Sequence, residues 1–206
     1  MVAATALVEA RGWGALTMRA LGESMGIEHT TIYRHFANKR ALIDAVLDQA
    51  LASLHTDGCG DTPRERIVGK LVAFRGLVRA NPYLGPAIMG RRVSSDRGLQ
   101  FIRTQVDLLM AMGLDGERLV RCYHALDTIT IGCAVYDYSA GPGPLSDCQT
   151  QYRALGLDGF DAAARDLDSM AAMADEAFRV SIHAVLDAFT ARPDGDLGPD
   201  IVTPTT

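Results

Sequence analysis

Cysteine is scarce in this chain of 206 residues: Cys59, Cys122, Cys133 and Cys148 lie far apart, with no Cys-x-x-Cys pair and no Cys/His spacing suited to a metal. That excludes a disulfide framework and a zinc module, and Cys122 and Cys133 are read as small core residues rather than redox sensors. Aromatic residues are few, at 6% with a single tryptophan. No apolar run approaches the length of a membrane span, and residues 1–11 lack the basic start and long apolar stretch of a signal peptide. No membrane contact is expected, and the cytoplasm is the expected location. Also missing are an alternating β pattern, a recognisable nucleophile–base pair and a strand-borne phosphate loop, so no catalytic residue, metal or cofactor is expected. The formal net charge of −5 argues against non-specific coating of nucleic acid.

What remains is an ordinary soluble composition, 48% hydrophobic and 22% charged, long enough for one small and one medium domain. A polar, Gly-rich stretch at 56–63 marks a joint. The expected organisation is all-α: a small unit over 1–55, a larger helical unit over 63–192, and a disordered tail over 193–206. Within residues 1–50 five basic side chains balance five acidic ones, and the negative excess lies after residue 100.

The stretch 17–39 has the layout of a helix-turn-helix. Thr17 is a good N-cap, and Leu21 and Met25 share one face of a short helix expected over 17–25. Gly26 then supplies the positive φ of a helix end, and Ile27 plugs the turn into the core. A second helix is expected over 28–36, with Ile32 and Phe36 inward. Thr30 and Arg34 then point outward, with Thr31 and Tyr33 on the flanks. Hydroxyls, a phenol and a guanidinium on one face suit a helix lying in a DNA major groove. Asn38 is a plausible N-cap for the next helix, whose free N–H groups, dipole and Lys39 ammonium would together hold a phosphate. An isolated Lys-Arg pair would be read as a solvated helix start; two turns after a helix-turn-helix, the phosphate reading is the better one.

These residues carry a resemblance. The chain resembles the tetracycline-repressor-type (TetR) family of transcriptional regulators over residues 3–51: a first helix over 3–11, Gly12-Trp13-Gly14-Ala15-Leu16-Thr17, Ala20 to Ile27, Thr31-Ile32-Tyr33-Arg34-His35-Phe36, and Asn38-Lys39-Arg40-Ala41-Leu42. The Tyr-x-His-Phe-x-Asn-Lys run is its most specific part. The resemblance implies that Thr17, Arg19, Thr31, Tyr33, His35 and Lys39 contact DNA, chiefly phosphates, while His29, Thr30 and Arg34 are candidates for base reading. No residue before Arg11 is basic, so the basic arm of many members is not carried over.

Beyond the joint, helices are expected over 63–80, 94–112, 116–139 and from 160 or 167 to 192, with a shorter one around 86–90. Gly141-Pro142-Gly143-Pro144 reads as a break, followed by loop with one short helix at most up to Gly159. Two late helices look made for association. Ala174, Ala177, Ser181, Ala184 and Ala188 form a small-residue flank beside an apolar stripe, and the helix over 116–139 is apolar nearly all round, with Ala125 and Gly132 a heptad apart. Both could pack within one chain. Reading two half-sites of a palindromic operator in double-stranded DNA requires two-fold symmetry, however, and a four-helix homodimer interface is what the resemblance also implies. Tyr152-Arg153-Ala154-Leu155 and the stretch 175–189 resemble the carboxy-terminal half of such ligand domains more weakly.

Tyr123, His124, Asp127 and Thr128 place polar groups together on the apolar helix. They are either part of an effector pocket or an internal His–Asp pair or polar dimer contact. Apolar walls would come from Phe74, Leu77, Val78, Phe101, Leu108, Leu109 and Met112, with Gln105 as a polar anchor. The effector would be a small, partly apolar molecule whose arrival releases the DNA. An all-helical carrier or enzyme using the same pocket is the alternative, and it leaves the pattern at 31–39 unexplained.

Overall fold

A computed structural model describes residues 1–54, 59–89, 95–138 and 142–191. Among them every regular element is a helix. The expected tail at 193–206 lies outside the described residues.

The first helix, α1 (Val2–Ala15), is interrupted at Gly12, whose φ of 73° is left-handed, so the helical run ends near Arg11 and a separate turn carries Trp13. α2 (Met18–Met25) starts where Thr17 Oγ1 accepts the Ala20 N–H at 3.0 Å, and it ends at Gly26 with φ 66°. α3 (His29–Tyr33) is shorter than the expected 28–36. Past Tyr33 the chain continues as tight turns, with the N–H groups of both His35 and Phe36 donating to the Ile32 carbonyl at 2.9 Å. Asn38 Oδ1 accepts the Ala41 N–H at 2.9 Å and opens α4 (Lys39–Ala52). Leu7, Val8, Leu16, Leu21, Ile32, Leu42 and Val46 from these elements close one apolar core.

α5 (Pro63–Ala80) occupies the span read from the sequence, because Thr62 and Glu65 form a reciprocal capping box and Asn81-Pro82 stops the helix. After it come α6 (Leu84–Met89), α7 (Asp96–Ala111, capped by Ser95) and α8 (Gly116–Tyr138). The expected loop up to Gly159 is corrected: α9 (Pro142–Ala154) begins at the first proline, and α10 (Asp158–Ala163) follows. Prolines in a first turn remove N–H groups that have no intrahelical partner anyway, so Pro142 and Pro144 start a helix as readily as they break one. α11 (Leu167–Thr190) is capped by Asp166.

α5 is the axis of the larger unit. Ile67 and Leu71 pack with Leu109, Leu126, Phe178, Ile182 and Leu186 in a second core, and Phe74 and Val78 join Ala134 in a third. Arg75, almost fully buried, pairs with Asp175 at 2.7 Å and lies over the Phe178 ring, tying α5 to α11. α6 reaches the other way: Ala87 is buried in the first core, and the Trp13 indole N–H donates to the Tyr83 carbonyl.

Candidate nucleic-acid interface and internal cavity

α2 and α3 meet at Gly22. A Cβ there would stand 2.8 Å from the Ile27 carbonyl oxygen and 3.1 Å from the His29 nitrogen, both backbone, so only glycine allows the two helices to approach this closely. The sequence signal was present, but a glycine inside a helical pattern is easily passed over as neutral. With Ile32 buried, α3 turns His29, Thr30 and Tyr33 to solvent; Arg34, His35 and Lys39 are also exposed, and Thr31 is half-buried. Arg19 is exposed and held by Glu23 at 2.8 Å, a pair weak enough in water for a phosphate to displace. Thr17 spends its acceptor on the helix cap and keeps its hydroxyl proton free to donate. The Lys39 ammonium donates to the Trp13 carbonyl at 3.1 Å, which fixes it at the start of α4.

A cavity of about 320 Å³ lies between α4, α5, α6, α7 and α8. Of the residues expected around a pocket, Phe74, Leu77, Phe101, Gln105, Tyr123 and Asp127 line it. The Phe74 and Phe101 rings meet at 5.3 Å. Gln105 Nε2 and Thr130 Oγ1 are buried without a hydrogen-bond partner, although both residues line the cavity. Burial pushes the Asp127 carboxyl above its ordinary range, with His124 pulling it back in part, and burial followed by the Asp127 charge pushes the Tyr123 hydroxyl up to about 12.

The other expected pocket residues lie elsewhere. Val78 is buried in the third core, and Leu108, Leu109 and Met112 belong to the second. His124 and Thr128 are exposed, because one residue along a helix is a 100° step and carries them off the face that Tyr123 and Asp127 share. They fall on the same outer side of α8 as Gly132, while Ala125 is half-buried. On α11, Ala177, Ala184 and Ala188 are exposed and Ser181 is half-buried. Asp44, Leu47 and Leu51 of α4, Leu84 and Ile88 of α6, and Thr130 and Ile131 also line the cavity. Asp44, Leu47 and Leu51 escaped the sequence reading because α4 was assigned wholly to the small unit.

A profile described as "Bacterial regulatory proteins, tetR family" matches residues 1–46. The likeness extends past it: the chain is 27% identical over 193 residues to the tetracycline repressor protein class A from transposon 1721 of Escherichia coli, covering 92% of this chain and 88% of that protein. Residues 1–46 thus match the tetR family of bacterial regulatory proteins, and nearly the whole chain is similar to a tetracycline repressor. Proteins of the tetR family are transcriptional regulators and generally not enzymes, they bind operator DNA and small-molecule effectors, and they are typically dimeric. Solved structures agree on the fold. The TetR regulator SCO7222 of Streptomyces coelicolor superposes with a TM-score of 0.70 at 22% identity, covering 92% of this chain and 95% of that one. ActR, a TetR-family protein of the same organism in complex with actinorhodin, gives 0.70 at 21% identity over 92% and 94%. Among the described residues no helix is long and apolar enough to cross a membrane. No cluster of three potential metal ligands occurs among them either.

One expectation concerns the start of α4. Lys39→Ala should weaken binding to all DNA sequences about equally and lower the slope of log affinity against log salt by about one unit, while Tyr33→Phe should weaken binding without changing the slope. Fluorescence anisotropy across a salt series checks it. A Lys39→Ala variant with relaxed base preference and an unchanged slope would show a base contact instead.

Proposed function

We propose that this protein is a ligand-responsive repressor: a homodimer that holds a palindromic operator through α2 and α3 and releases it when a small, partly apolar molecule fills the cavity. The observation that carries this reading is the double duty of α4. Its first turn holds Lys39 at the DNA-facing end, and Asp44, Leu47 and Leu51 further along wall the cavity. α6 does likewise, with Leu84 and Ile88 in the cavity wall and Ala87 in the core of the reading unit. A molecule that moves either helix therefore moves the reader. In this reading residues 1–55 bind DNA, residues 63–192 bind effector and dimerise, and the protein works in the cytoplasm. Thr17, Arg19, Thr31, Tyr33, His35 and Lys39 serve phosphates, and His29, Thr30 and Arg34 serve bases. Tyr123 and Asp127 face the effector, and His124 and Thr128 face the partner subunit, with Ala125, Gly132, Ala177, Ser181, Ala184 and Ala188 in the same interface. That ActR, similar in fold, is found in complex with actinorhodin supports a small-molecule effector.

An effector shifts the DNA-bound population only by its difference in affinity between the two states, typically about 1–3 kcal/mol, and operator must weaken the effector by the same factor. Titrating candidate aromatic compounds with and without operator tests this. A compound that saturates the cavity, raises the melting temperature and leaves DNA affinity untouched would refute the reading. Asp127→Asn is expected to weaken the effector response while effector-free DNA affinity stays nearly constant. Loss of folding or of DNA binding would mark Asp127 as a core residue instead.

A further inference from the structure

Lys70 is a cation in the interior, only 2% exposed. Its ammonium donates to the Phe101 carbonyl and lies 3.7 Å from the centre of the Phe101 ring, and among the described residues no carboxylate pairs with it. A buried charge is ordinarily paired, because desolvation costs several kcal/mol per ion. Burial lowers its pKa to about 8, and nothing else perturbs it. At pH 7 it is therefore still mostly the ammonium form.

Its position relative to the cavity is set by two helices. Lys70 and Phe74 are four apart on α5, so they share a face, and Phe74 lines the cavity. Phe101 and Gln105 are four apart on α7 and both line it, so the ring that Lys70 packs against shares a helix face with the Gln105 amide. Gln105 Nε2, in a residue 2% exposed, has no acceptor, and the equally buried Thr130 hydroxyl has no partner. The cavity wall thus offers an amide N–H and a hydroxyl without partners beside two aromatic rings, and the Lys70 ammonium lies just behind it, against the Phe101 ring. Asp127, on the α8 side of the cavity, makes no ion pair with Lys70 among the described residues, and burial raises its carboxyl above the ordinary range.

We infer that the effector carries an anionic oxygen, a carboxylate, phenolate or enolate on an aromatic skeleton, accepted jointly by Lys70 and Gln105. This rests on the cavity being the effector site and adds the charge of what enters it. On binding, the lysine, with four rotatable bonds, exchanges the Phe101 carbonyl for the ligand oxygen. The rings of Phe74 and Phe101 flank the aromatic part. A charge-assisted hydrogen bond in such a buried place discriminates strongly against a neutral or cationic isostere.

The test uses three two-ring probes of the same shape at pH 7: 2-naphthoate, 2-naphthamide and 2-naphthylmethylammonium. Binding to the full-length protein is measured by calorimetry, and operator release by anisotropy. Naphthoate is expected to bind at least about tenfold tighter than the amide, with the ammonium weakest. Lys70→Met should erase that preference while amide binding persists, and Lys70→Gln should do the same if the methionine variant is poorly soluble. A naphthoate preference that survives both substitutions, or an order in which the amide or ammonium binds best, overturns the anionic ligand and leaves the effector cavity standing. If a probe binds but never affects operator affinity, or none binds, the cavity reading fails and this inference with it.

Discussion

Ala184→Arg is expected to turn the proposed dimer into a monomer and to lower operator affinity by about 10²–10⁴, the advantage of engaging two half-sites at once. In the isolated chain α11 shows Ala177, Val180, Ala184 and Ala188 to solvent, Val180 being 60% exposed, and α8 shows Val120 at 63% along with Gly132. Large apolar side chains this exposed on two adjacent long helices are normally covered, and small residues between them let another helix approach closely. An arginine placed there would have to bury its charge against the partner subunit, whereas in the monomer it reaches water freely. Because the substituted position is exposed in one chain, helical content and monomer folding should be retained. Sedimentation velocity together with anisotropy reads both effects. A variant that stays dimeric with full operator affinity would move the interface elsewhere.

Gly22→Ala is the second large effect. The added methyl would meet backbone of the turn and of α3 at 2.8 and 3.1 Å, and backbone cannot yield as a flexible side chain does. Overpacking of this kind costs about 1–3 kcal/mol, and here relief requires α3 to move away from α2. DNA affinity should fall more than the melting temperature suggests, since the displaced element is the reader. Gly14→Ala is the control: nothing lies within 4 Å of its added carbon, so stability and binding should stay nearly unchanged. Equal behaviour of the two variants would show that the α2–α3 contact is looser than the geometry indicates.

How much of this was legible beforehand follows from the range of the interactions involved. Thr17, Gly26, Asn38 and the Thr62–Glu65 box act within one turn, so the starts and ends they control could be read directly. Pro142 and Pro144 carry a local signal too, but an ambiguous one, and only the packing of α9 against α11 decides between break and helix start. The cavity was half legible. Periodicity put Phe74, Leu77, Phe101, Gln105, Tyr123 and Asp127 on apolar helix faces; it could not tell a face that closes on a core, as Leu108 and Leu109 do, from one that borders a cavity. Which helix opposes which is a long-range fact. For the same reason nothing local marks Asp44 and Leu47 as cavity residues, or Lys70 as buried beneath Phe101 of α7.

The central claim, a two-fold symmetric reader of DNA sequence, is tested most directly by selecting bound duplexes from a random pool with the full-length protein and sequencing them. The account predicts a palindromic site whose half-sites are centred one helical turn apart, about 34–36 Å, or a multiple of it, bound by two chains per duplex or by a multiple of two. A pool that shows no enrichment at low salt, or that converges on a single asymmetric half-site bound by one chain, would contradict it.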